Sequence, residues 1–396
     1  MNKWEKKRLR DVADLCLGKM LDEQKNRGEP LPYLANINVR WGEFDLDNLR
    51  QMRFEVHEKE RYGLKSGDIA MCEGGEPGRC AIWKEPVSEM MIQKALHRIR
   101  SHGCIAHRFL YYSLLQTGKV GGFAPLFTGS TIKHLTGQNL AKLEIDIPEI
   151  AIQVRIGSVL TGYDELIENN RRRMALLEKS ARLLYQEWFV CLRFPGHEHT
   201  RTANGTPHGW ERKPLNAICP DLREAANPAD SDASTPYIGL EHMPRRSITF
   251  NEWGRADEVT STKLRFKSGD ILFGKIRPYF HKLGFALTDG VASSDAIVLR
   301  PAAEFFHSFA LLTVSSDWFV TVVSKTAKEG SKMPRADWNL MEQHQILVPP
   351  HSILLALQEA VAPNFEQLRT LSFTNQKLRA ARDLLLPRLM SGEIAV

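Results

Sequence analysis

The sequence predicts a mixed α/β (α+β) chain: two similar domains separated by two long helices that form an antiparallel coiled coil, with the halves related by a pseudo-two-fold. Three observations predict it. The chain nearly repeats itself at about half its length. Each copy mixes short β-like runs with Gly-containing turns and a helical stretch. After each copy, apolar residues recur in steps of three and four.

The echo runs in one order. Trp4-Glu5 returns as Trp210-Glu211, and Pro32-Tyr33 as Pro236-Tyr237. Lys65-Ser66-Gly67-Asp68-Ile69 returns as Lys267-Ser268-Gly269-Asp270-Ile271, and Gly129-Ser130 as Gly330-Ser331. Ile147-Pro148 and Val348-Pro349 then precede the helical segments. The offsets stay between 201 and 206 positions. A period near 200 is far too long for a solenoid, whose repeats run to ~20–50 residues. Two copies of one domain, each followed by a helix, is the simpler reading. It divides the chain into 1–148, 149–192, 193–348 and 349–396.

Within each copy, Ser-Gly-Asp before Ile69-Ala70-Met71 or Ile271-Leu272-Phe273 reads as a turn feeding a strand. A helical stretch follows near Cys104–Gln116 and Phe305–Val323. A polar, Gly-containing loop comes next (Thr128–Gly137; Ala327–Asp337), and then a last strand ending at Pro148 or Pro349.

The first linking helix carries Leu160, Tyr163, Ile167, Asn170, Met174, Leu177, Ala181, Leu184 and Trp188, a coiled-coil seam. The second carries Asn364, Leu368, Leu371, Asn375, Leu378, Arg382, Leu385 and Leu389, with Asn364 and Arg382 as interruptions. Each stripe needs a partner, and the other helix is the nearest candidate. Gly162 and Pro363 are poor helix residues at matching places. They predict a short helix, a bend, and a long helix of about 25–28 residues, ~40 Å at 1.5 Å per residue. Pro387 is expected to end or kink the second, and Ser391-Gly392 to close it. Asn170 and Asn375 occupy seam positions of opposite type, which antiparallel helices place opposite each other. A seam Asn fixes register at a cost in stability.

Composition bounds the function classes. Hydrophobic residues make up 43% and charged residues 25% of 396, the balance of an ordinary globular protein. A net charge of +6 permits an anionic partner without demanding one. No stretch approaches the ~20 apolar residues of a membrane span, and no signal-peptide core follows the N-terminus. The expectation is a cytoplasmic protein with no membrane partner. Six scattered cysteines with no Cys-x-x-Cys pair read as reduced thiols, not as a disulfide or zinc framework.

Catalytic motifs are hard to find. No phosphate loop is present, and Cys72-Glu73-Gly74-Gly75-Glu76-Pro77-Gly78 sets carboxylates around its glycines where a phosphate cradle would not. Asn227-Pro228-Ala229-Asp230 resembles the start of an amino-methyltransferase loop but lacks its second Pro and stacking aromatic. There is no nucleophile-elbow spacing, and His197-Glu198-His199 reads as a solvated linker. No catalytic or metal-binding residue is therefore assigned.

Basic loops stand out instead. Lys275, Arg277, Tyr279, His281 and Lys282 directly follow the second Gly-Asp-Ile strand. Arg there can reach phosphates or base edges, bidentate Arg on guanine being the commonest specific contact. The counterpart loop, Glu73–Arg79, is much less basic, so the copies should read different things. Lys133-His134 and Lys332 with Arg335 follow the matched Gly-Ser pairs. Asn36, Asn38 and Arg40 form a third polar finger. With Lys65 and Arg79 these make the DNA-contact candidates. The helix-pair seam candidates are Asn170, Leu177, Leu184, Leu371, Asn375, Leu378 and Leu385. Arg171-Arg172-Arg173 lies off the seam and reads as a solvated face or a partner contact.

Over essentially its whole length the chain resembles the specificity subunit of type I restriction–modification systems. The resemblance rests on Leu384-Leu385-Leu386-Pro387-Arg388-Leu389-Met390-Ser391-Gly392-Glu393-Ile394, on Leu177-Glu178 through Tyr185-Gln186-Glu187-Trp188-Phe189, and on the repeated Gly-Asp-Ile turns. Pro32-Tyr33-Leu34 through Trp41-Gly42-Glu43 is similar to the opening of many first recognition domains. It implies two target-recognition domains, each reading half of a bipartite, asymmetric site in double-stranded DNA, with the helices as a ruler. The ~40 Å helix is comparable with the ~34 Å turn of DNA between half-sites. It further implies methyltransferase (modification) and restriction/translocase subunits bound through the helices. S-adenosylmethionine, ATP and Mg belong on those partners, and this chain is expected to bind no cofactor and catalyse nothing. The competing readings are a divergent self-contained DNA methyltransferase or nuclease, and a coiled-coil scaffold that never touches DNA.

Overall fold

The repeated Lys-Ser-Gly-Asp-Ile segment folds identically in both copies of the computed structural model. Gly67 and Gly269 take φ of +91° and +89°, left-handed values open to glycine. The following Asp, 2% exposed at Asp68 and 3% at Asp270, accepts a hydrogen bond from the backbone N–H of Lys65 or Lys267 at 2.7 Å. Its carboxylate then receives two bonds from Arg100 or Arg300. A buried carboxylate needs such pairing, and a bidentate guanidinium supplies it with fixed geometry. The turn thereby launches the central strand of a sheet, Ile69–Cys72 or Ile271–Gly274.

The structure describes residues 4–22, 26–326 and 333–396. Two compact units result, Met1–Leu166 with Leu378–Val396, and Ile167–Lys377. In the first unit, Ile69–Cys72 lies between Cys80–Ile82 and Leu96–Ser101, and Ala13–Leu17 completes an antiparallel four-stranded sheet. A second sheet has Glu29–Leu34 antiparallel to Arg50–Phe54 and parallel to Met91–Ile92. Glu5–Arg8 pairs with Glu144–Ile147.

The second unit repeats this plan. Ile271–Gly274 lies between Leu283–Phe285 and Ala296–Leu299. Pro236–Ile238 runs parallel to Gly290–Ala292, pairing Tyr237 with Val291 as Tyr33 pairs with Met91. Glu211–Pro214 pairs with Gln345–Val348. Here the helical stretch is broken, His307–Val314 and Asp317–Thr326 meeting at 66°. Ser316 at the corner caps the second piece, its Oγ accepting from Phe319 N–H. No single described helix is long and apolar enough to cross a membrane. All six cysteines are unpaired thiols.

The linking helices correct one expectation. Ile150–Tyr185 and His351–Met390 are each continuous, running through Gly162 and Pro363 where two helices and a bend were expected. One proline removes one backbone donor, and the flanking turns carry the helix across it. Pro387 does not end the second helix either; it continues to Met390, and Gly392 follows at φ +72°. The start of each is tied down alike. Gln153, 1% exposed, accepts from Ala106 N–H at the head of the helix His107–Lys119, and Gln358 accepts from Ser308 N–H.

Within the second unit the helices pair antiparallel: Asn170 Nδ2 donates to Asn375 Oδ1 at 2.9 Å, and Asn364 Nδ2 to the Leu177 carbonyl at 3.4 Å. Asn170, Asn375 and Leu371 are buried, while Leu177 and Leu184 pack half-buried on the core. Within the first unit, Arg382 meets Asp164, whose other oxygen accepts from Tyr112 Oη at 2.6 Å. Burial opposes the Arg382 charge, yet Asp164 and Asp383 hold its pKa above the ordinary value. The apparent flaw in the seam is thus a paired arginine. Leu386 and Leu389 are fully buried there, with Leu385 packed against the same core and Leu378 half-exposed.

Candidate nucleic-acid interface

In the first unit three loops converge beyond the end of the strand Ile69–Cys72: 35–45, 73–79 and 128–135. Leu135 N–H donates to the Glu73 carbonyl at 2.8 Å and joins the second to the third. Asn36 Nδ2 reaches the Gly74 carbonyl, and Trp41 Nε1 donates to Glu76 at 2.6 Å, joining the first to the second. Two glycines make this possible. A Cβ on Gly74 would lie 3.2 Å from His134 Nδ1, and one on Gly75 2.9 Å from Asn36 Nδ2. The glycines let side chains from both neighbours close onto the loop.

The second unit builds the same junction. Lys275 N–H donates to the Asp295 carbonyl, as Glu73 N–H does to Ala95, all at 2.8 Å. Ala336 N–H donates to the Lys275 carbonyl, as Leu135 does to Glu73. Loop 239–249 joins through Lys282 Nζ on the Leu240 carbonyl and Arg246 N–H on the His281 carbonyl. Arg277 N–H bonds the Pro334 carbonyl at 2.8 Å. Arg277 and His281 both adopt left-handed φ, +50° and +51°, on either side of the turn Pro278–Phe280. Each such residue costs about 1–2 kcal/mol, strain that this tight, largely buried turn stores beneath the exposed Tyr279.

The candidates sort by what their side chains do. Asn38 is a brace: its Oδ1 accepts from Ala35 N–H and its Nδ2 donates to Asp45, and His242 does the same for Gly239 in the other copy. Arg79 is also turned inward, to Glu76 and the Asn36 carbonyl. His281 is 8% exposed, with burial and the nearby Arg246 pushing its pKa down. Lys282 is tied to Leu240, and burial lowers its pKa as well. Lys275 donates to the Ser294 carbonyl at 3.0 Å and is likewise shifted down by burial.

In the first unit Arg40, Lys133 and His134 are exposed at the converged loops, with Arg40 also donating to the Ile37 carbonyl at 2.7 Å; in the second, Tyr279 and Arg335 are exposed and Arg277 is half-buried. Arg335 pairs with Asp295 at 2.9 Å. Lys65 does not join the group. It lies on the turn at the opposite end of the strand Ile69–Cys72, ~13 Å away at ~3.3 Å per residue. Lys332 lies outside the described residues.

Sequence reasoning missed Trp41, Glu76, Arg245 and Asp295. Arg245 sets its guanidinium 3.9 Å from the centre of the Phe280 ring. Carrying the Pro-Tyr offset forward from the first finger lands on loop 239–249, and so on Arg245; that signal was present. The Trp41–Glu76 and Arg335–Asp295 pairs join loops remote in sequence and leave no local mark.

Comparison with known proteins bears on this geometry. Residues 1–179 match the family model described as the type I restriction modification DNA specificity domain. The type I restriction enzyme MjaIX specificity subunit of Methanocaldococcus jannaschii is 24% identical over 422 aligned residues, spanning 99% of this chain and 94% of that one. The EcoDI specificity subunit of Escherichia coli is 23% identical over 61% of this chain and 62% of that one. In fold, the chain is similar to the crystal structure of a type I restriction–modification S subunit from M. genitalium, with a TM-score of 0.59, 17% identity, and coverage of 98% and 96%.

Proposed function

We propose, for a chain that belongs to the type I restriction–modification specificity-subunit family, that each unit reads one half of a bipartite, asymmetric duplex site through its three converged loops. The chain directs chemistry and performs none itself. One observation carries the reading: a matched backbone address holds Glu73 in one copy and Lys275 in the other, fixed by the same two hydrogen bonds. A carboxylate accepts, as from the cytosine amino group; an ammonium donates, as to guanine O6 and N7. A shared frame with opposite chemistry at its reading end suits a site whose halves differ.

Arg40, Lys133, His134 and Glu73 are the contact residues favoured for one half, and Lys275, Arg277, Tyr279 and Arg335 for the other. The long helices are the seat we assign to the methyltransferase and restriction/translocase subunits. S-adenosylmethionine, ATP and Mg would act on those partners, in the cytoplasm with the chromosome.

The test uses the complex reconstituted from the full chain and its partner subunits, with duplexes randomised in one half-site at a time. Arg277→Ala should cost about 1–3 kcal/mol on the true site and relax preference in a single half. Leu177→Asp or Leu385→Asp should instead disrupt helix packing and assembly. Equal relaxation of both halves by Arg277→Ala overturns the assignment of one reader per half.

A further inference from the structure

We propose that the second unit carries a phosphate clamp, formed by Arg171 and Lys179 on the first long helix with Arg245 and Arg246 of loop 239–249. The clamp grips the DNA backbone beside the bases that Arg277 reads. This rests on the reading of the chain as a DNA-recognition subunit.

These cations line one cavity of ≈ 420 Å³. Arg171, Lys179, Arg245 and Arg246 are exposed around it, and Arg182 lies deeper. Among the described residues one carboxylate lines it, Glu178, and that group is spent internally. Its Oε1 accepts from Ser247 Oγ and Thr249 Oγ1, both at 2.7 Å, and its Oε2 from Ile248 N–H at 3.1 Å. Arg182 is committed too, donating to the carbonyls of Ser315 and Arg246. Glu178 and Arg182 therefore position loop 239–249 against the helix, while Arg171, Lys179, Arg245 and Arg246 are exposed at the rim. Asp317 meets Arg246 at 3.1 Å, but both side chains are more than two-thirds exposed, so the pair is weak and easily exchanged.

The fold does not require these charges. At the helix offset that pairs Asn170 with Asn375, Arg171 corresponds to Gln376 and Lys179 to Leu384. At the Pro-Tyr offset, Arg245-Arg246 corresponds to Trp41-Gly42. The first copy builds the same frame without them, so the concentration in the second copy points to a ligand. Its place names that ligand. Arg245 stacks on Phe280, and the Arg277 guanidinium lies 5.9 Å from the same ring, so the patch is continuous with the candidate reading loop. The helix from Arg171 to Arg182 extends ~16 Å, beside a strand that offers one phosphate per ~3.4 Å of axis.

The test compares Arg171→Ala/Lys179→Ala with the charge-keeping Arg171→Lys/Lys179→Arg, each in the full chain assembled with its partner subunits. Binding is read on a duplex carrying the methylated target sequence and on a scrambled duplex, across a salt series, with assembly followed by size exclusion. The alanine pair should weaken both duplexes by the same factor, roughly tenfold, and lower the salt slope by about 2. The charge-keeping pair should restore both. An unchanged affinity and slope overturns the clamp. So does loss of partner subunits with an unchanged slope, which would make the patch a protein-docking surface. If the unmodified complex itself shows no salt-dependent, sequence-selective binding, the DNA-recognition reading falls first and takes the clamp with it.

Discussion

At the scale of single residues, backbone strain and side-chain chemistry can be separated at Arg277. Its left-handed φ of +50° suits glycine, so Arg277→Gly relieves ~1 kcal/mol of strain while removing the guanidinium. Stability should hold within a few degrees of melting temperature while affinity for the target falls; a large loss of stability would mean that the side chain serves the fold. Buried histidines give a second prediction. His97 donates to the Leu135 carbonyl and His307 to the Gly269 carbonyl, and burial, partly offset by those bonds, lowers both pKa values. A folded pKa below the unfolded value of ~6.5 means that the unfolded chain binds more protons as the medium is acidified. Stability from these groups is full above pH 6.5 and declines below it, toward the depressed folded values. Melting temperatures at pH 7.5, 6.5 and 5.5 should fall in that order, and a flat profile would contradict the assignment. Which polar loop residues brace and which face outward was not legible in the sequence. Asn38 and Arg40 look alike as a motif; Asn38 is half-buried and bonded to both Ala35 N–H and the Asp45 carbonyl, whereas Arg40, though it reaches the Ile37 carbonyl, is exposed.

At the scale of elements, the helix pair was the most legible part, because its signal is local: steps of three and four over many turns. The two seam asparagines form one buried hydrogen bond. Asn375→Leu alone should destabilise by about 1–3 kcal/mol, since it strands the Asn170 amide. Asn170→Leu with Asn375→Leu should recover most of that loss, because two apolar partners leave nothing unsatisfied. Denaturant titrations of Asn375→Leu, of Asn170→Leu alone and of the double variant decide it, and simple additivity would show that the two side chains do not act together. The strands were less legible. They run only two to six residues, and Glu5–Arg8 finds its partner at Glu144–Ile147, across nearly the whole first copy. Such pairings depend on non-local register, which no window of sequence contains.

At the scale of the whole molecule, the duplication is visible in the sequence because the frame has strict local demands: a glycine at positive φ, a buried Asp, a Gln at each helix head. The loops lack those demands, and there the copies have diverged, Glu73 against Lys275 and Trp41-Gly42 against Arg245-Arg246. A duplicated frame with unlike reading ends makes a definite claim about the target. The measurement that tests it most directly is a genome-wide map of methylated bases in cells carrying the complex, repeated with the Arg277→Ala chain. The native chain should give one motif of two unlike halves at a fixed spacing. The variant should degrade one half and leave the spacing and the other half intact. A continuous or palindromic motif, or equal degradation of both halves, would contradict the account.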